Sequence, residues 1–312
     1  MIKPKALKKG DTIAIIGPAS PAPEGKLQSA LQELKALGYE VKLTESCHAI
    51  HGYLAGTDDV RARDLNNMFL DQEVQGIICL RGGYGTMKLL HKLDIAAIKN
   101  NPKVFVGYSD ITALHLYMNQ RCKLVTFHGP MAASDIAGGL DDFSKEYFLK
   151  AITKPEAMGS IENPAGIEME CLVEGEAVGE VAGGNLALVT ATMGTPDEID
   201  TKGKLLFLEE IGEEPYRVDR MLTQLALAGK LQEASGIILG DWNDCEPKKR
   251  QNSLSLMEVF KEIIVPYGKP TIYNLKAGHC TPKVTIPFGV KARLKATERK
   301  LFIEETATIG WL

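Results

Sequence analysis

A serine that attacks a carbonyl carbon needs a turn to expose its hydroxyl, N–H groups to receive the charge forming on oxygen, and a base to take its proton. The stretch Val104-Phe-Val-Gly-Tyr-Ser-Asp-Ile-Thr112 offers the first two. Val104 to Val106 reads as a buried strand, Gly107 suits a sharp turn, and Ala113-Leu-His-Leu-Tyr-Met118 has helical character. Ser109 would then stand at the carboxyl edge of a sheet, beside the free N–H groups and positive dipole end of a helix. The pattern departs from the hydrolase elbow G-x-S-x-G, because Ile111 occupies the place of the second glycine. Taken alone, the stretch fits a plainer reading better, in which Ser109 or Asp110 only caps the helix.

The base must come from six histidines. His48, His51 and His91 stand in polar surroundings, and His115, on the expected helix, would pack rather than face the turn. His128 ends an expected strand, Leu124 to Phe127, and His279 sits in the loop Ala277-Gly-His-Cys-Thr-Pro282. Position divides the choice between His128 and His279. An acid to orient the base is offered by Glu209 and Glu210, which follow the strand-like Lys204-Leu-Leu-Phe-Leu208. Successive strand residues face opposite sides, so only one of the two acids should face the site.

Other chemistries find less support. Gly83-Tyr-Gly85 gives half of a dinucleotide fingerprint, but Lys88 stands at the third glycine. Arg81-Gly-Gly-Tyr-Gly85 is better read as a cradle of N–H groups for an anion or carbonyl oxygen. His48-x-x-His51 lacks an obvious third ligand, and the six cysteines form no C-x-x-C pair, so no metal and no cofactor is expected. A net charge of −4 argues against a general nucleic-acid binder. No apolar window approaches a membrane span, and Thr12 to Ile16 is too short for a signal-peptide core. Scattered thiols then suggest a reducing cytoplasm.

The elements that must position these residues alternate. Thr12–Ile16, Tyr39–Leu43, Gly76–Leu80 and Val104–Val106 read as strands, with helices over Leu27–Leu37, Val60–Asp71 and Lys88–Leu93. Such alternation implies a parallel sheet with helices on both faces, and ligands of such sheets sit at the carboxyl ends of the strands. Gly17-Pro-Ala-Ser20, Arg81 to Gly85 and Gly107 to Asp110 would all share that edge, which raises the case for Ser109 as a nucleophile. Punctuation by Pro155, Gly159, Pro164 and Gly166 reads as a linker. The expected organisation is an α/β nucleophile domain over 1–155, a linker over 156–174, and a β-rich domain over 175–312. The second domain holds an amphipathic helix over Val218–Leu231 and a strand over Gly236–Gly240 that Trp242 follows.

In order along the chain, Gly17-Pro-Ala-Ser20, Arg81-Gly-Gly-Tyr-Gly85, Gly107-Tyr-Ser-Asp110, Gly183-Gly-Asn-Leu186, Gly194-Thr-Pro196, Leu208-Glu-Glu-Ile211, Glu214 to Leu222 and Gly278-His-Cys-Thr-Pro282 resemble the LD-carboxypeptidase family of serine peptidases. That family holds muramoyltetrapeptide carboxypeptidases and microcin-immunity peptidases. No single motif is specific; the ordered set covers almost the whole chain. The resemblance implies an N-terminal flavodoxin-like parallel sheet with helices on both faces, plus a smaller β-rich barrel-like C-terminal domain, usually as a homodimer. It implies a Ser109–Glu209–His279 triad in a cleft between domains. The backbone N–H groups of Asp110 and of the Gly82–Gly83 turn would form the oxyanion hole. The second acid is often Asp in the family and is Glu210 here. Arg81 and Arg217 are the cations able to hold a substrate carboxylate, although Arg217 fits a structural salt bridge as well.

The implied activity is release of terminal D-alanine from muropeptide tetrapeptides in cell-wall recycling in the cytoplasm. The partner would be a small peptide or muropeptide, with no nucleic acid and no membrane. Relatives of the microcin C type cleave peptidyl-nucleotides, and a stacking aromatic would serve them. The stretch after Asn185 carries none, and of two tryptophans only Trp242 is placed near a strand end. A hinged binding protein without catalysis is the remaining alternative, and it has no use for a serine, histidine and acid set.

Overall fold

The computed structural model describes residues 1–248 and 252–311, and the chain falls into two compact units. The first comprises Met1–Ala157, Thr285–Gly289 and the tail from Thr306. Five parallel strands form its sheet: β1 (Thr12–Ile16), β2 (Glu40–Leu43), β3 (Val74–Cys79), β4 (Val104–Gly107) and β5 (Thr126–His128). Their order is β2-β1-β3-β4-β5, and a strand from far down the chain, Ile286–Phe288, adds antiparallel to β5. Ile77 and Ile78 are both fully buried although they face opposite sides, as expected where helices cover both faces. The helices are α1 (Glu24–Ala36), α2 (Asp58–Leu70), α3 (Ile95–Asn100), α4 (Thr112–Tyr117) and α5 (Asp142–Thr153). The Thr57 side chain caps α2 on the N–H of Val60, and Asp94 caps α3 on that of Ala97. The sheet order reverses between β1 and β3, so the loops after these two strands leave at the crevice where such sheets bind ligands.

The helix expected over Lys88–Leu93 is a 3-10 segment, Thr86–Lys92. Only Thr86, Leu89 and Leu90 of it are buried, too few to specify an α-helical stripe.

The second unit comprises Met158–Val284 and Val290–Glu305. Its strands are β6 (Gly159–Ile161), β7 (Glu170–Val173), β8 (Glu176–Asn185), β9 (Leu205–Ile211), β10 (Gly236–Asn243) and β11 (Thr271–Tyr273). With Ile286–Phe288 counted as β12, the last two are β13 (Lys291–Lys295) and β14 (Lys300–Ile303). The mixed eight-stranded sheet runs β6-β14-β13-β8-β9-β10-β11-β7, with β8 to β11 parallel and the flanking pairs antiparallel. Residues 156–174 thus supply two of its strands. Helices α6 (Leu186–Ala191), α7 (Pro215–Leu227), α8 (Lys230–Glu233) and α9 (Leu256–Ile263) complete the unit.

Two expectations change here. The single helix over Val218–Leu231 is two, because Gly229 adopts φ 77 and ends α7. Trp242 does not follow its strand but lies within β10, which continues past a register shift between Leu239 and Trp242. Its ring meets Phe260 edge-on at 4.9 Å.

Candidate functional site

In the first unit, β4 runs extended through Tyr108 and then turns at Ser109, whose φ is 64. A non-glycine residue in that region costs about 1–3 kcal/mol and persists only where its surroundings enforce it. The turn was expected at Gly107. Gly107 instead stays in the strand, and it must lack a side chain because a Cβ there would lie 2.9 Å from Ile111 Cγ1 and Cγ2. Among the described residues, neither the short turn nor α4 receives a side-chain cap. Asp110 is buried, and its Oδ2 accepts the Thr86 N–H at 2.9 Å while the Thr86 hydroxyl donates to the Asp110 carbonyl at 2.5 Å. Burial pushes the Asp110 carboxyl up from its ordinary range, against the pull of Thr86, Gly85 and Arg61.

The loop after β3 lies on this turn. A Cβ on Gly82 would meet Ser109 Cβ at 2.8 Å, its Oγ at 3.0 Å and the Asp110 nitrogen at 3.4 Å. Only a glycine permits that approach. Gly83, next along, faces Ser20. Arg81 is half-buried, and among the described residues it makes one long hydrogen bond, Nη1 to the Pro21 carbonyl at 3.4 Å.

Two histidines pack near β4. His115 is fully buried, donates from Nε2 to the Gly107 carbonyl at 2.8 Å, and is held near pKa 4 by burial. It is therefore neutral at physiological pH. His128 is also buried, with its ring 5.8 Å from Tyr108 and 5.4 Å from Phe288.

The second unit brings Glu209 and His279 together. Glu209, in β9, is wholly buried, and its Oε2 lies 2.7 Å from His279 Nδ1. With Nδ1–H donating to the carboxylate, a neutral imidazole carries its lone pair on Nε2. Gly278 adopts φ 119, and a Cβ there would lie 2.6 Å from Glu209 Oε2. The Asn243 side chain donates to the His279 carbonyl at 2.8 Å and steadies the loop from β10. Sequence reasoning missed Asn243, although its place just past an apolar strand was a signal.

Glu210 points the other way. It accepts from Asn185 Nδ2, Ala187 N–H and Ile211 N–H, each at 2.8 Å. Burial pushes its carboxyl up to about 7, with those donors opposing and the Glu209 charge adding to the rise. Its task is to anchor the start of α6. Arg217 is exposed on α7, where it pairs with Glu213 at 3.2 Å and donates to the Tyr216 hydroxyl at 3.0 Å.

Among the described residues, no group of three or more His, Cys, Asp or Glu is placed to hold a metal ion. His48 pairs with Glu24 at 3.2 Å, and His51 forms a bridge with Leu54. No helix among them is long and apolar enough to cross a membrane.

Comparison with known proteins gives consistent matches. Residues 13–129 match the LD-carboxypeptidase N-terminal domain and residues 178–294 its C-terminal domain. A probable murein peptide carboxypeptidase of Bacillus subtilis (strain 168) is 47% identical, over 99% of this chain and 97% of that one. The crystal structure of a muramoyltetrapeptide carboxypeptidase from Oxalobacter formigenes superposes with a TM-score of 0.83 at 33% identity, over 95% of this chain and 100% of that one. The microcin C7 self-immunity protein MccF, in complex with aspartyl sulfamoyl adenosine, superposes with a TM-score of 0.91 at 25% identity, over 99% and 100%.

Proposed function

This chain belongs to the LD-carboxypeptidase family, and from that premise we propose that it is a serine L,D-carboxypeptidase releasing terminal D-alanine from muropeptide tetrapeptides. The observation that carries the reading is the hydrogen bond from His279 Nδ1 to buried Glu209. A carboxylate fixing an imidazole tautomer is half of a triad, and Ser109, on a strained turn against Gly82, is the natural other partner.

The chemistry would run as acyl transfer. His279 Nε2 takes the Ser109 proton as Oγ attacks the carbonyl carbon of the L,D amide. The oxyanion is received by the backbone N–H groups of Asp110 and Gly83, each worth about 3–4 kcal/mol in comparable sites. Glu209 stabilises the imidazolium. The C–N bond breaks, the leaving amine takes the proton from Nε2, and water resolves the acyl-enzyme by the same steps reversed. For the substrate carboxylate we favour Arg81 over Arg217. Among the described residues Arg81 makes one long bond, to Pro21, whereas Arg217 is engaged with Glu213 and Tyr216. No step calls for a metal or cofactor. The same reading carries a homodimer acting in the cytoplasm on recycled wall peptides, on flavodoxin-like and barrel-like frames.

A second reading, cleavage of a peptidyl-nucleotide, is favoured by the likeness to MccF. The test is incubation with a muropeptide tetrapeptide and mass spectrometry of the products. Release of free D-alanine supports the proposal, and an intact tetrapeptide after exhaustive incubation rejects it.

A further inference from the structure

We propose that Arg61 and Ser20 are positioning residues that hold the Gly82–Gly85 loop in the form acyl transfer requires, an inference that rests on the function proposed above. Arg61 lies on α2 in the buried stripe with Leu65, Met68 and Phe69, where an apolar residue would be ordinary, and it is wholly buried. Its Nη1 donates to the Pro18 carbonyl at 2.5 Å and to the Gly85 carbonyl at 3.0 Å, and its Nη2 to Asp58 Oδ1 at 2.6 Å. Its Nε has no hydrogen-bond partner among the described residues. Pro18 belongs to the loop after β1 and Gly85 to the loop after β3, so one guanidinium ties the two together. Burying a charge is costly even when it is paired, and an apolar side chain of similar volume is often no worse for stability. The fork of donors is what an apolar residue cannot supply.

Ser20 is the second clamp. Its N–H donates to the Gly82 carbonyl at 3.3 Å, and its Oγ accepts the Tyr84 N–H at 3.3 Å. A Cβ on Gly83 would fall 2.3 Å from that Oγ, and one on Gly85 would fall 2.8 Å from Arg61 Nη1. The loop is therefore held at 82, 84 and 85, around the Gly83 N–H that the mechanism uses. Neither residue touches substrate in this scheme. Each acts by aiming an N–H beside Ser109.

A positioning role has its own kinetic pattern. Arg61→Lys keeps the charge but not the fork, and kcat should fall about 100-fold, as for a small misplacement of catalytic geometry. Ser20→Ala removes one of the loop's hydrogen bonds, and kcat should fall about 10-fold, a smaller misplacement of the same geometry. KM for a tetrapeptide should stay near wild type in both variants. Affinity for a peptide aldehyde, whose adduct carries the oxyanion, should weaken in step with kcat. A merely structural role would lower the titratable fraction of active enzyme and leave these constants alone. Wild-type kcat in Ser20→Ala would overturn the proposal, and so would a loss in either variant confined to KM. Ser20→Ala decides the matter if Arg61→Lys does not fold. Failure of the wild type to cleave any L,D amide would overturn the function and this inference together, whereas an active wild type with unaffected variants overturns this inference alone.

Discussion

Glu209 Oε2 lies 2.7 Å from His279 Nδ1, while the adjacent Glu210 takes two hydrogen bonds at the start of α6, from Asn185 and Ala187, and a third from the Ile211 N–H of its own strand. Two neighbouring carboxylates thus have separate partners, and the difference is open to test.

Glu209→Gln should lower kcat by about 10⁴, the scale of losing a triad acid that fixes the imidazole tautomer. Glu210→Gln should leave most of kcat and instead lower stability by about 1–3 kcal/mol, because a buried donor loses its acceptor. Steady-state kinetics with thermal melts on both variants checks this, and the reverse order of severity in kcat would assign the role to Glu210.

A pH effect follows from Glu210. Its folded pKa of about 7 lies above the ordinary 4.5, so the folded state binds the proton more tightly than the unfolded chain. That contribution to stability is fully present below the ordinary value and is lost as pH rises through about 7. Unfolding midpoints should fall between about pH 5 and pH 8, and the fall should be smaller in Glu210→Gln. Equal slopes in the two proteins would remove Glu210 as the source.

Gly278→Ala places a methyl 2.6 Å from Glu209 Oε2 at φ 119. The strained backbone alone costs about 1–3 kcal/mol, and displacement of the acid should lower kcat about 100-fold. A variant with wild-type kcat would show that the Glu209–His279 contact tolerates movement.

Much of this was legible in the chain because the signals are local. Alternation along β9 is enough to send Glu209 and Glu210 to different partners, and a β-branched run before Ser109 is enough to foresee β4. The rest depends on distant residues. Ile286-Pro-Phe288 joins β5 of the first unit, and nothing in three residues says which edge they will pair with. Arg61 reads as a polar residue of a surface helix until its stripe with Leu65 and Met68 is noticed. The sequence points to Gly107 for this turn because glycine is the usual bearer of a left-handed φ. Here the serine carries it, and the glycine makes room for Ile111.

Substrate choice is the next expectation. Helix α6, which follows Asn185, has no aromatic residue, and the Trp242 ring is engaged with Phe260. A nucleobase therefore lacks an evident stacking partner there. In paired assays at equal concentration, the tetrapeptide should be cut with the higher kcat/KM, and an aminoacyl-adenylate analogue weakly or not at all. The opposite ranking would favour the peptidyl-nucleotide reading and make Trp242 the first residue to replace.

The central claim is that the Ser109 hydroxyl attacks the L,D amide, and the most direct measurement is D-alanine release from a muropeptide tetrapeptide by purified Ser109→Ala beside the wild type. The account expects steady release by the wild type and a loss of about 10⁶ in kcat for the variant, the scale seen when a serine nucleophile is removed, with its melting temperature preserved. Release by Ser109→Ala at the wild-type rate would contradict it.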